Sequence, residues 1–202
     1  EDHPLVPITE YNRYKGLTEP LLLQHQSPTF APVVIRPATV CGYSPRTRLD
    51  LTVNILTNHA VNNRKIMVFG GSQKRPNIHI DDITDLYAEL LQLPSDQIAG
   101  GVFNAAYENF TVAELARQVK RVVEEEFPEF GTIPIETTAS DDLRSYHVSS
   151  RKIHEHLGWE PKRSIEDAVR DLCRAFREGL LPDSVDDDRY FNVRTVKKLT
   201  LR

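Results

Sequence analysis

The spacing of apolar residues predicts helices that alternate with short strands. Apolar positions recur at helical spacing over residues 49–61 and again after residues 82 and 111. Short apolar runs predict strands between these helices, at residues 32–35, 66–69, 77–80, 102–105 and 133–137. Two further helices are predicted at residues 150–157 and 164–176. This alternation is typical of the α/β class.

The first predicted helix begins near Thr9, a residue type that caps helices, and runs to about residue 25. Pro20 lies inside it. Proline removes one backbone hydrogen bond from a helix interior and costs about 3 kcal/mol there. We therefore expect a kink or a break near Pro20.

The ends of the later helices carry capping signals. Thr111 and Ser164 each precede an acidic residue by three positions, which is the pattern of a capping box. Asp81 or Asp82 is expected to cap the helix that follows it. Gly158 is expected to end the helix at residues 150–157, because glycine adopts the left-handed conformation that follows many helices.

Composition excludes several classes of protein. The chain has 202 residues, of which 40% are hydrophobic, and 25 basic against 29 acidic residues give a net charge of −4. This apolar content argues against a disordered chain, and the charge argues against a nucleic-acid-binding protein. No apolar run approaches the roughly 20 residues that a membrane-spanning helix needs. Two distant cysteines, Cys41 and Cys173, do not form a disulfide framework, so we expect a reducing, cytoplasmic location.

Two side chains in the first predicted helix are candidates for catalysis. Tyr11 and Lys15 are four residues apart, so both leave the same helix face about one turn apart. A positive charge beside a phenol stabilises the negative charge that develops on its oxygen when the proton leaves. The pair is therefore a candidate for acid and base catalysis, although this spacing alone is common in helices. Tyr14 is adjacent to Lys15 and lies off this face.

Five motifs occur in a fixed order along the chain. They are residues 7–15 (PITEYNRYK), 34–42 (VIRPATVCG), 69–82 (FGGSQKRPNIHIDD), 102–106 (VFNAA) and 157–161 (LGWEP). Together they resemble the extended short-chain dehydrogenase/reductases, specifically the NAD(P)-dependent nucleotide-sugar epimerases and dehydratases. The resemblance implies a Rossmann-like, doubly wound domain with a smaller α/β substrate-binding domain.

The resemblance also implies roles at the cofactor. Tyr11 is the expected catalytic acid and base, and Lys15 is its expected partner and a ligand of the nicotinamide ribose. Pro37 and Ala38 occupy positions where the family's backbone meets the nicotinamide. The expected cofactor is NAD or NADP.

Four residues are expected to bind the substrate, a nucleotide diphosphate sugar. Arg75 is expected at the diphosphate, where a guanidinium offers a rigid two-pronged donor. Arg144 is a candidate second phosphate ligand, and Asn54 is expected to bind the sugar or the nucleotide. Thr39 is placed at the sugar, although many relatives carry asparagine there.

Several polar residues and one cysteine also have a purely structural interpretation. Arg75 is also able to pair with Asp81 or Asp82 at a surface, and those two carboxylates are read as a helix cap and an ion pair. Cys41 is read as a small buried residue without an adjacent base. We expect no metal, because the histidines show no convincing ligand spacing.

The glycine-rich dinucleotide fingerprint is absent from the sequence. The sequence thus resembles the C-terminal portion of such an enzyme. We assign residues 1–42 to a remnant of the cofactor domain, residues 43–182 mainly to the substrate-binding domain and residues 183–202 to a polar tail, with a loop at residues 186–188.

Three functions remain open. The first is the catalytic and substrate-binding portion of an NAD(P)-dependent epimerase, dehydratase or ketoreductase, inactive without its cofactor half. The second is a module that binds nucleotide sugars without turnover. The third is a dimerisation element, because the helix of Tyr11 commonly lies at a dimer interface in this family and because Leu21, Leu22 and residues 33–35 are expected to be exposed.

Overall fold

A computed structural model describes residues 1–7, 10–139 and 145–200. The helices of this part of the chain are α1 (Glu10–Leu23), α2 (Thr52–Asn63), α3 (Ile80–Leu90), α4 (Ser95–Ile98), α5 (Val112–Glu126), α6 (Arg151–Leu157), α7 (Ile165–Arg177) and α8 (Asn192–Thr200). The strands are β1 (Val34–Pro37), β2 (Thr39–Cys41), β3 (Ile66–Phe69), β4 (Lys74–His79), β5 (Val102–Ala105), β6 (Glu108–Thr111) and β7 (Ile135–Thr138). The predicted α/β class is confirmed.

The described strands form three small sheets. β1 pairs with β5 in parallel, and β3 pairs with β7 in parallel. In the third sheet β4 lies between β2, to which it is parallel, and β6, to which it is antiparallel. Only residue 38 separates β1 from β2, so the chain passes directly from one sheet to the next. Residues 37–39 therefore lie where two sheets meet, and this junction positions the candidate site.

Three hydrophobic clusters hold the elements together. The largest lies among α2, α5, α7 and β3, and it includes the fully buried residues Val53, Ile66, Val119 and Val169. The second packs α3 and α6 against the β1–β5 sheet around Phe103. The third joins the α7 helix to the chain's last segment.

The capping predictions are confirmed at α5 and α7 and are wrong at α3. Thr111 and Ser164 each form the complete capping box with the acidic residue three positions later. Gly158 ends α6 in the left-handed conformation, at φ 67°. The cap of α3 is instead His79, whose Nδ1 accepts a hydrogen bond of 3.1 Å from the backbone N–H of Asp81. The aromatic nitrogen replaces the carboxylate oxygen because the strand continues to His79, two residues before Asp81.

The expected break at Pro20 is wrong. The α1 helix continues through Pro20 to Leu23, and the Gln24 N–H donates to the Pro20 carbonyl at 3.0 Å. Proline removes only the bond to the carbonyl of Gly16, four residues earlier, and the turns on either side keep theirs. The predicted start at Thr9 lies outside the described residues.

The C-terminal segment is more ordered than the predicted polar tail. It contains a 3₁₀ turn (Asp188–Tyr190) and the α8 helix. Tyr190 and Phe191 are buried in the third cluster against Leu49, and the Leu49 N–H donates to the Tyr190 carbonyl at 2.9 Å. Two aromatic residues in a polar sequence anchor the segment to the body of the protein.

Candidate functional site

Tyr11 and Lys15 lie together on α1, as the four-residue spacing predicts. The Lys15 ammonium nitrogen is 5.9 Å from the centre of the Tyr11 ring. Both side chains are exposed, Tyr11 by 69%. The two groups therefore remain accessible to a ligand and are close enough to act on the same one.

Tyr11 lines a cleft of about 520 Å³, which we call the first cleft. Its wall contains Pro37, Ala38 and Thr39, the residues at the junction of two sheets. Residues of the loop from Gly42 to Leu51 also line it. The first cleft thus brings three residues predicted from the second motif close to the tyrosine.

Tyr11 also lines a second cleft, which has a volume of about 720 Å³. It separates α1 from β1 and α3, and Lys15 and Glu19 face it from the helix. Tyr11 and Pro37 line both clefts, whereas Lys15 lines only the second. The tyrosine therefore stands at the boundary between two concave surfaces.

A third cleft of about 360 Å³ contains Arg75. Phe69 and Gln73 also line it, so it gathers residues from the same motif. Tyr146 lines both this cleft and the first, and the Arg75 guanidinium carbon lies 5.2 Å from the Tyr146 ring centre. Arg75 is thus placed where the first and third clefts approach each other.

Asn54 lines the first cleft and bonds to the loop beside it. Its side chain is buried, and its oxygen accepts a bond of 3.0 Å from the Gly42 N–H. Its nitrogen donates to the carbonyls of Gly42 and Arg48, at 3.4 and 2.8 Å. Both N–H groups are used within the protein, so Asn54 holds the loop of the first cleft. Its predicted role at the sugar or the nucleotide stays a prediction.

Asp81 and Asp82 pair with Arg163 rather than with Arg75. The buried Asp82 carboxylate accepts from the Arg163 guanidinium at 2.9 Å and from its backbone N–H at 3.0 Å. An exposed oxygen of Asp81 lies 3.8 Å from the same guanidinium. The alternative in which either carboxylate neutralises Arg75 is therefore wrong, and the ion-pair reading of the two aspartates is confirmed.

Comparison with known proteins assigns the family. The profile of the NAD dependent epimerase/dehydratase family matches residues 1–106, just over half of the chain. The chain belongs to this family. The matched range contains Tyr11, Lys15, the sheet junction and Arg75, so the family assignment covers the three clefts' main residues.

Individual known proteins are also similar to this chain. UDP-glucuronic acid decarboxylase 1 of Arabidopsis thaliana is 28% identical over 183 residues, which are 87% of this chain and 40% of that protein. A crystal structure of dTDP-glucose 4,6-dehydratase from Bacillus anthracis in complex with NAD superposes with a TM-score of 0.69 at 20% identity, over 88% of this chain and 55% of that one. UDP-glucuronic acid 4-epimerase from Bacillus cereus gives a TM-score of 0.70 at 21% identity, with the same coverage of 88% and 55%.

These likenesses confirm the predicted fold. The structures share a Rossmann-type α/β architecture with this family member, and at such low identity they establish the fold alone. The chain spans about 40% of the length of the first curated relative and about half of each structural neighbour.

One group of side chains in this family member has the donor atoms that bind metal ions. Among the described residues, one ligand atom from each of His79, Asp81 and Asp171 falls within 4.8 Å of the others. The His79 Nδ1 accepts from a backbone N–H, and its Nε2 lies 3.2 Å from an Asp171 oxygen. Arg174 donates to Asp171 at 2.8 Å. The approach to Asp171 does not make a hydrogen bond, so the buried His79 Nε2 has no hydrogen-bond partner among the described residues. The expectation of no metal stays a prediction.

Burial controls the chemistry of both cysteines. The Cys41 thiol donates to the Ile78 carbonyl at 3.3 Å, and both thiols are buried. Burial raises the pKa of each of Cys41 and Cys173 to about 12. Both thiols therefore stay protonated at neutral pH, which agrees with the reading of Cys41 as a packing residue.

We expect both thiols to resist alkylation in the folded protein. At pH 8 a group with a pKa of about 12 has a negligible thiolate fraction, and the thiolate is the nucleophile. Iodoacetamide treatment followed by mass spectrometry should find Cys41 and Cys173 unmodified in native protein and both modified in guanidinium chloride. Rapid native labelling of Cys41 would contradict the buried, protonated thiol.

Sequence reasoning missed several residues that line the clefts and predicted a role for one residue that the structure does not describe. Tyr146 lines two clefts but lies outside the five motifs, so no sequence signal identified it. Arg46 and Arg48 line the first cleft from the loop after β2, where the polar sequence gives no distinctive pattern. Arg144 lies outside the described residues, so its phosphate role stays a prediction.

None of the helices in the described ranges combines the length and the apolar character that crossing a bilayer requires. The longest, α5, has 15 residues and carries charged side chains along one face.

Proposed function

We propose that this chain supplies the proton-transfer pair and the sugar-binding cleft of an NAD(P)-dependent enzyme that acts on nucleotide sugars. The observation that carries the proposal is the position of Tyr11 on the boundary of two clefts. A proton-transfer group that serves a substrate on one side and a cofactor on the other requires this placement. Membership in the NAD dependent epimerase/dehydratase family supports both ligands.

The second cleft fits the nicotinamide end of NAD or NADP. Lys15 presents three hydrogen-bond donors to it, which suit ribose hydroxyls, and Pro37 supplies the end of β1. The bound cofactor would supply hydride acceptance and donation. Lys15 lies one helical turn from Tyr11 and lines this cleft. It is therefore placed to bind the ribose and to orient the nicotinamide ring.

The first cleft fits the sugar. A sugar hydroxyl beside Tyr11 would pass its proton to the phenolate form of Tyr11 as a hydride leaves the same carbon for the bound cofactor. In the reverse direction the Tyr11 phenol would return the proton to the keto oxygen as the hydride comes back. The Lys15 ammonium, 5.9 Å from the ring centre, stabilises negative charge on the phenolic oxygen. Thr39 supplies a hydroxyl at the sheet junction, and Ala38 leaves room for the ligand.

The third cleft fits the nucleotide end of the same ligand. Arg75 lies where this cleft approaches the first, and a guanidinium binds phosphate oxygens with two parallel hydrogen bonds. The ring of Phe69 is 57% exposed on the wall of the third cleft and offers a surface on which a base can stack. A diphosphate at Arg75 would thus connect a sugar in one cleft to a base in the other.

The experiment that tests the proposal measures binding and turnover separately. The natural gene product that contains this chain is incubated with NAD or NADP and with UDP-, dTDP- and GDP-linked sugars, and products are identified by mass spectrometry. Conversion of one nucleotide sugar supports the proposal. Tight binding without conversion favours the binding-module alternative, and no binding of any nucleotide diphosphate overturns the proposal.

Replacing Arg75 with alanine should weaken nucleotide diphosphate binding. A hydrogen bond to a charged group contributes roughly 1.5–3 kcal/mol, so we expect Kd to rise about 10- to 150-fold. Isothermal titration of the corresponding nucleotide diphosphate measures the change. Arg151→Ala, an exposed arginine of α6 whose side chain is 81% accessible, serves as the control and should leave Kd unchanged. Equal Kd values for Arg75→Ala and the unmodified protein would remove Arg75 from the site.

We further propose a homodimer in the cytoplasm as the working form. The α1 helix exposes Leu17, Leu21 and Leu22 by 50%, 56% and 39%, which supports an association surface on this helix. The expectation of exposure at residues 33–35 is wrong for Val34, which is 9% accessible, and Val33 and Ile35 are half-buried.

A further inference from the structure

The α1 helix carries the candidate catalytic pair but contributes nothing to the hydrophobic core. All residues of α1 are described, and none of them is buried. The second cleft, about 720 Å³ in volume, separates the helix from β1. Apolar packing therefore cannot fix the distance between Tyr11 and the end of β1 to the accuracy that proton transfer requires.

A half-buried ion pair connects the helix to the strand. The Arg36 Nε donates to one oxygen of the Glu19 carboxylate at 2.9 Å, and its Nη2 donates to the other at 2.6 Å. The side chains of Arg36 and Glu19 are only 24% and 16% exposed. The hydrogen bond to Glu19 raises the pKa of the Arg36 guanidinium, so the guanidinium keeps its positive charge throughout the physiological range.

The ion pair lies on the face of α1 that bears the candidate catalytic residues. Tyr11, Lys15 and Glu19 follow one another at intervals of four residues, so they form one row along the helix. All three line the second cleft, as do Arg36 and its neighbour Pro37. The ion pair thus connects the α1 face that carries Tyr11 to β1, the strand that ends at the sheet junction.

A two-pronged bond constrains orientation as well as distance. Two parallel N–H···O bonds fix the plane of the carboxylate relative to the guanidinium, which a single bond does not. Arg36 also donates to the backbone carbonyl of Glu1 at 3.1 Å, and the Glu1 carboxylate accepts from the Asn104 N–H at 2.8 Å. The guanidinium is therefore itself held against both β1 and β5.

We propose that Glu19 and Arg36 are positioning residues that set the Tyr11 and Lys15 side chains against the end of β1. The inference rests on the proposed function of that pair. Neither Glu19 nor Arg36 transfers a proton to the substrate. Their loss shifts α1 across the cleft, and a displacement of about 1 Å at a reacting group costs on the order of 100-fold in rate.

The test separates positioning from binding and from stability. In the natural gene product, Glu19→Gln and Arg36→Gln should lower kcat by about 10- to 100-fold, while KM and the Kd of the nucleotide sugar change less than about threefold. Arg36→Lys keeps the charge and loses the two-pronged geometry, so its kcat should fall between those of Arg36→Gln and the unmodified enzyme. Exchanging the charges, Glu19→Arg with Arg36→Glu, should recover part of the kcat that either reversal loses alone.

The controls use another ion pair of this protein. Lys162 and Glu89, whose nitrogen and oxygen are 3.3 Å apart, pair at the surface and line none of the three clefts, so replacing either with glutamine should leave kcat unchanged. Unchanged kcat in Glu19→Gln and Arg36→Gln would overturn the inference. A loss of kcat that is accompanied by a lower Tm and by weaker nucleotide-sugar binding would also overturn it. An unmodified enzyme that binds but does not convert any nucleotide sugar would instead overturn the proposed function, and the inference with it.

Discussion

Replacing Tyr11 with phenylalanine is expected to lower turnover by about 10³-fold or more while nucleotide-sugar binding stays nearly unchanged. The substitution removes only the phenolic oxygen, the atom that would exchange a proton with the sugar, and acid–base catalysis by one side chain contributes roughly 10²- to 10⁴-fold. The ring remains, so the wall that Tyr11 contributes to both clefts is kept. Steady-state kinetics with the natural gene product and calorimetric titration of the nucleotide sugar measure the two effects.

Tyr14 provides a matched control for this substitution. It lies on the same helix and is similarly exposed, by 64%, yet it lines neither of the two clefts that meet at Tyr11. Tyr14→Phe should therefore leave kcat and KM unchanged. Equal activity of Tyr11→Phe and Tyr14→Phe would reject the catalytic assignment of Tyr11.

Replacing Asp82 with alanine is expected to destabilise the fold by about 3 kcal/mol or more. The carboxylate is 1% exposed and accepts from the backbone N–H groups of Lys162 and Arg163 as well as from the Arg163 guanidinium. Its removal leaves these donors without their acceptor, and each unsatisfied buried group costs roughly 1–3 kcal/mol. Urea unfolding followed by the fluorescence of Trp159, the single tryptophan of the chain, measures the free energy of unfolding.

Asp81→Ala is the control for the Asp82 substitution. The Asp81 side chain is 52% exposed and approaches the same guanidinium only to 3.8 Å. Exposed ion pairs contribute about 1 kcal/mol or less, so this variant should unfold close to the unmodified chain. A larger loss of stability at Asp81 than at Asp82 would show that burial does not decide the strength of this contact.

Local signals made the helices easier to predict than the strands. The capping boxes at Thr111 and Ser164 and the glycine after α6 act within one turn, so the sequence contains all of their partners. The β4 strand was predicted too late, from residue 77, because Pro76 opposes a strand assignment. The pairing of β4 with both β2 and β6 outweighs that preference, and pairing partners are not visible in a local pattern.

The same distinction applies to the candidate site. Tyr11 and Lys15 are predictable because one helical turn joins them. The position of Tyr11 between two clefts depends on β1 and on the loop after β2, which are distant in sequence. The Asn54 side chain likewise donates to carbonyls six and twelve residues earlier in the chain. The residue type therefore predicts hydrogen bonding but does not identify the groups that accept the bonds.

The hydrogen bonds of Asn54 bear on the thermodynamics of ligand capture. One side chain joins Gly42 to Arg48, and the Thr47 hydroxyl bonds to both the N–H and the carbonyl of Ser44, at 3.0 and 2.5 Å. The wall of the first cleft is thereby preorganised, and little loop entropy remains to be lost when a sugar enters. More of the interaction energy can then appear as affinity.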